Sequence, residues 1–169
     1  FRVAVVGATG YAGAELVRLL HGHPTVDIVC ATSEKDAGKP LGEVHRYLSP
    51  AGLQLTAADA DLILSRRASF AFVALPHGAS TPVVRRLIDG GVRVVDVGAD
   101  FRFSDAAAYE RAYGAHSEPA LLAEAVYGLT EHARDAVASA RLVANPGCYP
   151  TGALMGLLPL ADVIEGTVF

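Results

Sequence analysis

Arg2-Val3-Ala4-Val5-Val6-Gly7-Ala8-Thr9-Gly10-Tyr11-Ala12-Gly13 reads as a β-branched strand, a glycine-punctuated turn and the start of a helix. Glu15, Leu16, Leu19 and Leu20 continue at helical spacing, and Gly22 and Pro24 mark the stop. The same alternation repeats along the chain. Val26 to Ala31, Phe70 to Leu75, Val92 to Val97 and Leu142 to Ala144 read as strands, and Leu53 to Thr56 as a short one. Ser80-Thr81-Pro82 caps a helix through Val83, Val84, Leu87 and Ile88 that Gly90-Gly91 ends. Asp105 to Tyr113 is a helix of weaker amphipathicity, Thr32 to Pro50 a polar loop with some helix, and Ala120 to Leu129 has no decided pattern. Strands alternating with helices predict an α/β fold: a doubly wound, mostly parallel, Rossmann-like sheet with helices on both faces. Ligands in such sheets bind outside the carboxyl ends of the strands.

Gly7, Gly10 and Gly13 stand in a GxxGxxG spacing at the first of those ends. Glycines here permit a tight turn, let the backbone approach a pyrophosphate, and place that phosphate at a helix N-terminus. A purely structural turn is the alternative. The end of the second strand bears on which dinucleotide would bind. In Ala31-Thr32-Ser33-Glu34-Lys35, Ser33 and Lys35 suit a 2′-phosphate and so favour NADP (NADPH). Glu34 cuts the other way if it faces the ribose, and a solvated Glu/Lys pair is the plain reading.

The second unusual turn is Asn145-Pro146-Gly147-Cys148-Tyr149-Pro150-Thr151. Leu154, Leu157 and Leu158 recur at helical spacing after it, and Pro150 fits a first turn, where a missing N–H costs no intrahelical bond. Cys148 therefore falls at or just before a helix N-terminus, where backbone N–H groups and the dipole favour a thiolate and can hold an oxyanion. Gly147 keeps the sulfur accessible. A buried, inert cysteine is the competing reading, and it is the one that suits Cys30 within its apolar strand.

Bulk composition narrows the remaining choices. With 169 residues, 51% hydrophobic, 19% charged and a net charge of −4, the chain is long enough for one domain with a core and has no basic surface calling for nucleic acid. No apolar run approaches the ~18 residues of a membrane span, and two cysteines make no disulfide framework or metal spacing, so a cytoplasmic setting is expected and no metal site. His21 and His23 read as helix C-terminal residues, and His45, His116 and His132 have no neighbours that suggest chemistry. His77 follows Pro76 at a strand end, where it lines the nicotinamide side of a cleft or bonds to backbone. Arg102 is suited to an anionic group through its guanidinium fork, or to an ion pair with Asp100 or Asp105. Gly166-Thr167-Val168-Phe169 reads as the opening of another strand.

Taken in order, these motifs resemble the N-acetyl-gamma-glutamyl-phosphate reductase family of the semialdehyde dehydrogenase superfamily, over essentially the whole chain. Gly7 to Gly13 resembles the family's nucleotide loop, and Pro76-His77-Gly78 and Ala99-Asp100-Phe101-Arg102 its internal signatures. Asn145 to Thr151 is similar to its active-site motif and is the most specific match. Tyr127-Gly128-Leu129 commonly continues with Pro-Glu in the family; here Thr130 replaces the proline and Glu131 is kept.

The resemblance implies NADPH-dependent reduction of N-acetyl-γ-glutamyl phosphate to the 5-semialdehyde, in arginine biosynthesis, through a thioester on Cys148. It implies Gly7, Thr9, Gly10, Tyr11, Ala12, Gly13, Ser33, Lys35, Pro76, His77 and Gly78 around the cofactor, with Arg102 and Asn145 beside the substrate. It divides the chain into a nucleotide-binding domain, 1–147, and at 148–169 the start of a catalytic and dimerisation domain. The family's catalytic histidine would lie in the rest of that second domain, and the full-length protein would be a homo-oligomer. Rival readings are the carrier-linked aminoadipate or aspartate members of the superfamily, a dinucleotide-binding module without chemistry, and an alcohol dehydrogenase that does not need Cys148.

Overall fold

The computed structural model describes residues 1–48 and 52–164. Seven strands form one parallel sheet in the order β3-β2-β1-β4-β5-β7-β6. They are β1 (Arg2–Val6), β2 (Asp27–Thr32), β3 (Leu55–Thr56), β4 (Phe70–Val73), β5 (Arg93–Asp96), β6 (Val126–Tyr127) and β7 (Leu142–Ala144). The chain runs outward from β1 to β3 on one side, then returns to place β4 against the other edge of β1. The order therefore reverses between β1 and β4, the position where such sheets open a crevice for a ligand.

The period-2 alternation of each strand divides two cores. Ala4, Val6, Cys30, Ala71, Val73, Val94, Leu142 and Ala144 pack with the helices α3 (Ala60–Ser65), α4 (Thr81–Asp89), α5 (Ala106–Tyr113) and α6 (Pro119–Glu124) through Ile63, Leu87, Tyr109 and Leu121. Val5 and Ala31 point to the opposite face, where α1 (Tyr11–His21) and α2 (Leu41–Val44) supply Ala14, Val17 and Leu41. Burial of these apolar faces, at roughly 25 cal/mol per Å², drives the layering. Helices lie on both faces, as the alternating pattern predicts.

Some local readings change. α3 and α7 (Thr130–Ser139) are helices that the pattern did not reveal. α3 spans 6 residues, too few to display a period, and is held by the Asp59 carboxylate accepting from the backbone N–H groups of Asp61 and Leu62. α7 buries no residue and is interrupted at Ala133 (φ −121°, ψ 30°), so it carries no apolar stripe. The undecided stretch 120–129 resolves into most of α6 followed by β6. Ser80 occupies the cap position of α4 but makes no capping bond; its hydroxyl goes to Asp100 instead. The strand expected at Gly166 to Phe169 lies outside the described residues.

The last helix, α8 (Cys148–Leu157), continues into a 3-10 turn at Leu158–Leu160. It buries none of its residues, although its sequence is strongly apolar.

Candidate functional site

Two helix N-termini meet at the carboxyl edge of the sheet, and neither is closed by a side chain. α1 begins after Gly10 and α8 after Gly147, each without a capping hydrogen bond and without an acidic residue in its first turn. By contrast, α3 and α5 are capped by Asp59 and Asp105. The open N–H groups leave a positive dipole end with no carboxylate of its own first turn beside it. Ala12 of α1 and Cys148 of α8 line one cleft of about 910 Å³, together with Arg102, Asn145, Gly147 and the segment Gly128–Glu131. A second cleft, of about 730 Å³, lies between the segment after β3 and the turn after β4. Its walls are mostly apolar, from Ala58, Leu75, Pro76, Ala79 and Val83, with Glu34 at its rim.

The three loop glycines have different reasons. Gly7 has φ +84°, and a Cβ there would lie 2.4 Å from the Ala74 carbonyl oxygen. At Gly13 a Cβ would lie 2.1 Å from the Gly7 oxygen, so helix and loop could not close together. Gly10 has no such internal conflict: a Cβ would meet only the Gly7 oxygen, at 3.7 Å. The loop is held from outside by Thr32, whose Oγ1 accepts from Gly7 N–H at 3.1 Å and whose carbonyl accepts from Ala8 N–H at 2.8 Å. His45 Nε2 lies 2.9 Å from the Thr9 carbonyl, and the Thr9 and Ser33 hydroxyls share a 2.8 Å hydrogen bond. Tyr11 is 97% exposed beside them.

At the end of β2, Ser33 is buried and engaged with Thr9, while Lys35 is exposed. Glu34 Oε1 accepts from Ala58 N–H at 3.0 Å, which turns that carboxylate toward the segment after β3. Lys39 pairs with Asp36 at 2.8 Å and holds its carboxyl below the usual range.

The turn after β4 and the loop after β5 are joined by one buried carboxylate. Asp100 is 1% exposed and accepts from Gly78 N–H at 2.8 Å, from the Ser80 hydroxyl at 2.6 Å and from His77 Nδ1 at 2.5 Å. His77 thus bonds to a side chain, not to backbone. On the other flank Arg102 donates from Nε to the Asn145 carbonyl at 2.9 Å and from Nη2 to the Val97 carbonyl at 3.1 Å. It forms no ion pair with Asp100 or Asp105 among the described residues. Its remaining nitrogen, Nη1, lies 3.0 Å from where a Gly147 Cβ would stand, next to the cysteine. The Asn145 amide itself donates to the Pro146 carbonyl at 3.1 Å.

Cys148 is exposed and free, at the first position of α8. Thr151 N–H and its hydroxyl both bond back to the Gly147 carbonyl, at 3.0 and 2.9 Å, and Pro150 has no N–H. The first-turn donors left beside the sulfur are those of Cys148 and Tyr149. Cys30 is fully buried, its sulfur 3.6 Å from the Thr56 hydroxyl, as suits a packing residue.

Residues 2–140 match the family described as semialdehyde dehydrogenase, NAD binding domain. The chain belongs to that family. It is 50% identical over 163 residues to the N-acetyl-gamma-glutamyl-phosphate reductase of Akkermansia muciniphila, a match covering 94% of this chain and 47% of the relative. The enzyme of the same name from Geobacter sulfurreducens is 49% identical over 159 residues, covering 94% and 46%. The chain thus spans about half the length of the curated relatives it matches. Among solved structures, aspartate semialdehyde dehydrogenase II complexed with ASA from Vibrio cholerae superposes with a TM-score of 0.68 at 22% identity, over 97% of this chain and 47% of that one. Aspartate semialdehyde dehydrogenase with NADP from Candida albicans gives 0.66 at 16%, over 95% and 46%. These two likenesses are of fold.

Within that family frame, the glycine loop, Ser33, Lys35 and the Pro76-His77-Gly78 turn all lie along one edge of the sheet, and Cys148, Arg102 and Asn145 share one cleft. Three residues that hold this arrangement carried no sequence signal of their own. Thr32 and His45 grip the glycine loop across 25 and 36 positions of chain, and Asp100 gathers the turn after β4 from 22 positions away. Asp100 does sit inside a recognised stretch, but its chemistry was invisible until the loops were folded together.

Proposed function

We propose that this chain is the dinucleotide-binding and nucleophile-bearing part of an NADPH-dependent reductase of N-acetyl-γ-glutamyl phosphate, acting in arginine biosynthesis. The observation that carries the reading is the shared cleft: the open first turn of α1 and the exposed Cys148 at the open first turn of α8 line the same space. The names of the half-identical relatives support the substrate.

The residues present fit a dinucleotide. Gly10, which nothing in the protein compels to be glycine, keeps the N-terminal donors of α1 uncovered for a pyrophosphate. The apolar slot between Ala58 and Pro76 suits a flat ring such as adenine. With Glu34 engaged by Ala58 N–H, the exposed Lys35 is the charged group of that turn left to meet a 2′-phosphate, which favours NADPH over NADH. When bound, the cofactor supplies the hydride for the reduction. Everything else falls to the polypeptide.

Cys148 attacks the acyl carbon as a thiolate; the carbon–oxygen bond to phosphate breaks, phosphate leaves and a thioester remains on the sulfur. Donors of the first turn of α8 stabilise the oxyanion that forms on the way. Arg102, already fixed by two backbone carbonyls, presents Nη1 to the anionic group of the substrate. No histidine lines this cleft among the described residues. In this proposal the base that takes the thiol proton comes from the remainder of a longer polypeptide, of the length the relatives have. The boundary near Cys148 is supported by the family match ending at residue 140 and by α8, whose Tyr149, Met155 and Leu157 are exposed. The longer protein is proposed to be a homo-oligomer.

Intact-mass spectrometry of the chain after incubation with N-acetyl-γ-glutamyl phosphate tests the nucleophile. A single acyl adduct on Cys148, absent from Cys148→Ser, is expected. An adduct that persists in the variant, or none under conditions where iodoacetamide labels Cys148, overturns the assignment.

A further inference from the structure

The structure assigns Asp100 a role that neither the glycine loop nor the cysteine requires. We propose that Asp100 is a positioning residue for the turn after β4: its buried carboxylate fixes His77 as the Nδ1–H tautomer and holds Gly78 and Ser80 in the one conformation that meets the cofactor. The proposal rests on the reading of that turn as a cofactor wall.

The geometry is specific. Both Asp100 oxygens are engaged. Oδ1 accepts from Gly78 N–H at 2.8 Å and from His77 Nδ1 at 2.5 Å. Oδ2 accepts from Gly78 N–H at 3.1 Å, Ser80 N–H at 3.4 Å and the Ser80 hydroxyl at 2.6 Å. Gly78 has φ +82°, a left-handed conformation that the two bonds to Asp100 pin in place. Every donor comes from the turn and the acceptor from another strand's loop, so the carboxylate works as a clamp between residues 20 to 23 positions apart. Ser80 gives up its capping bond to α4 to take part.

A carboxylate that accepts from this many donors is held in one orientation. Its neighbour Asp96 has no hydrogen-bond partner on either oxygen among the described residues. Burial first, then the Asp100 charge, push the Asp96 carboxyl up to about 7. At the far side of the imidazole, His77 Nε2 faces the Tyr109 hydroxyl at 3.5 Å, a neutral phenol that can donate to a bare Nε2, and burial together with the Asp100 charge pushes that phenol up. With a carboxylate oxygen 2.5 Å from Nδ1, the neutral ring has its proton on Nδ1. The ring lies against Tyr113, with centroids 4.4 Å apart and planes tilted by 46°, and its side chain stays 40% exposed, so a locked imidazole edge remains available at the surface of the turn.

The test uses the purified chain with two readouts: 15N-detected NMR of the His77 imidazole, and NADPH titration followed by nicotinamide fluorescence. Wild type is expected to show a protonated Nδ1 and a bare Nε2. Asp100→Asn, which replaces one acceptor by a donor, is expected to shift His77 to a mixture with Nε2–H and to weaken NADPH at least about tenfold. Ser80→Ala guards against a failure of Asp100→Asn to fold: it is expected to keep the Nδ1–H tautomer and weaken NADPH about threefold. A wild-type His77 protonated on Nε2 overturns the proposal, whatever the binding data. So does NADPH affinity unchanged in both variants. A wild-type chain with the expected tautomer that binds no NADPH overturns the cofactor reading, and with it the cofactor side of this one.

Discussion

Gly10 and Gly13 stand three positions apart in one loop, and substitution separates their roles. A Cβ at Gly13 would lie 2.1 Å from a backbone oxygen that has no freedom to move, so Gly13→Ala is expected to cost at least about 2 kcal/mol of stability. Gly10→Ala meets only a 3.7 Å contact and exchanges one uncapped residue for another, at a cost of about 1 kcal/mol or less. The same methyl would stand where a pyrophosphate approaches α1, so NADPH affinity is expected to fall at least about tenfold. Thermal melts and fluorescence titrations of the two variants check the contrast, and a Gly10→Ala chain that binds NADPH as wild type does removes the argument for a phosphate there. Lys35 is tested separately. Because Glu34 is turned toward Ala58 N–H and Lys39 is paired with Asp36, Lys35 is the cation placed to meet a 2′-phosphate, and Lys35→Glu is expected to weaken NADPH about tenfold while leaving NADH within about twofold. Equal losses for both nucleotides would place the 2′-phosphate elsewhere.

At the scale of elements, the strands show how the sheet both builds and burdens the site. Asp96 is the last residue of β5 and is fully buried by the layers above and below it. The unfolded chain gives up the Asp96 proton near the ordinary carboxylate value of 3.8, the folded chain at about 7. Between those values the folded state binds more protons than the unfolded one, so stability contributed by this group is full below about pH 4 and declines as pH rises toward 7. Asp96→Asn has no proton to lose. Its stability relative to wild type is expected to rise from pH 5 to pH 8, by up to a few kcal/mol, in urea melts across that range. A difference that does not vary with pH would mean that Asp96 is already ionised in the fold. Elements also mark the limit of what could be read from the chain. β1, β2, β4, β5 and β7 were legible because apolar runs between glycines and prolines need no partner to be recognised. α3 and α7 were not, because one is held by its Asp59 cap and the other has a kink and no buried face. Cys148, Arg102 and the glycine loop could be singled out from the sequence, and the fold sets Cys148 and Arg102 in one cleft. Thr32, His45 and Asp100 could not be, because each acts through a hydrogen bond that exists only once distant loops are side by side.

For the whole molecule, the parts of the proposed reaction are unevenly supplied. The proposed nucleophile, the candidate anion-binding arginine and two open helix N-termini are all in place along one edge of an open α/β sheet. The cleft around Cys148 has no histidine among its described lining residues, and the helix that carries the cysteine leaves Tyr149, Met155 and Leu157 at the surface, as the 3-10 turn after it leaves Leu160. A thiol without a base can still be acylated, slowly, by a reactive acyl phosphate, because the fraction already present as thiolate is enough for one turnover. Repeated turnover needs a group that takes the proton and returns one, a contribution of about 10²–10⁴-fold. It also needs walls that hold the thioester in the geometry for reduction, which is worth several further orders of magnitude. The purified chain is therefore expected to bind NADPH, to accept one acyl group on Cys148, and to show no measurable steady-state oxidation of NADPH with N-acetyl-γ-glutamyl phosphate. A polypeptide extended to the length of the half-identical relatives is expected to turn over under the same conditions, and to lose that activity on Cys148→Ser. Absorbance at the reduced nicotinamide band follows both. Sustained oxidation by the short chain would mean that its own residues contain the base, and Tyr149 and the Thr130–Glu131 pair at the cleft wall would be the first to substitute.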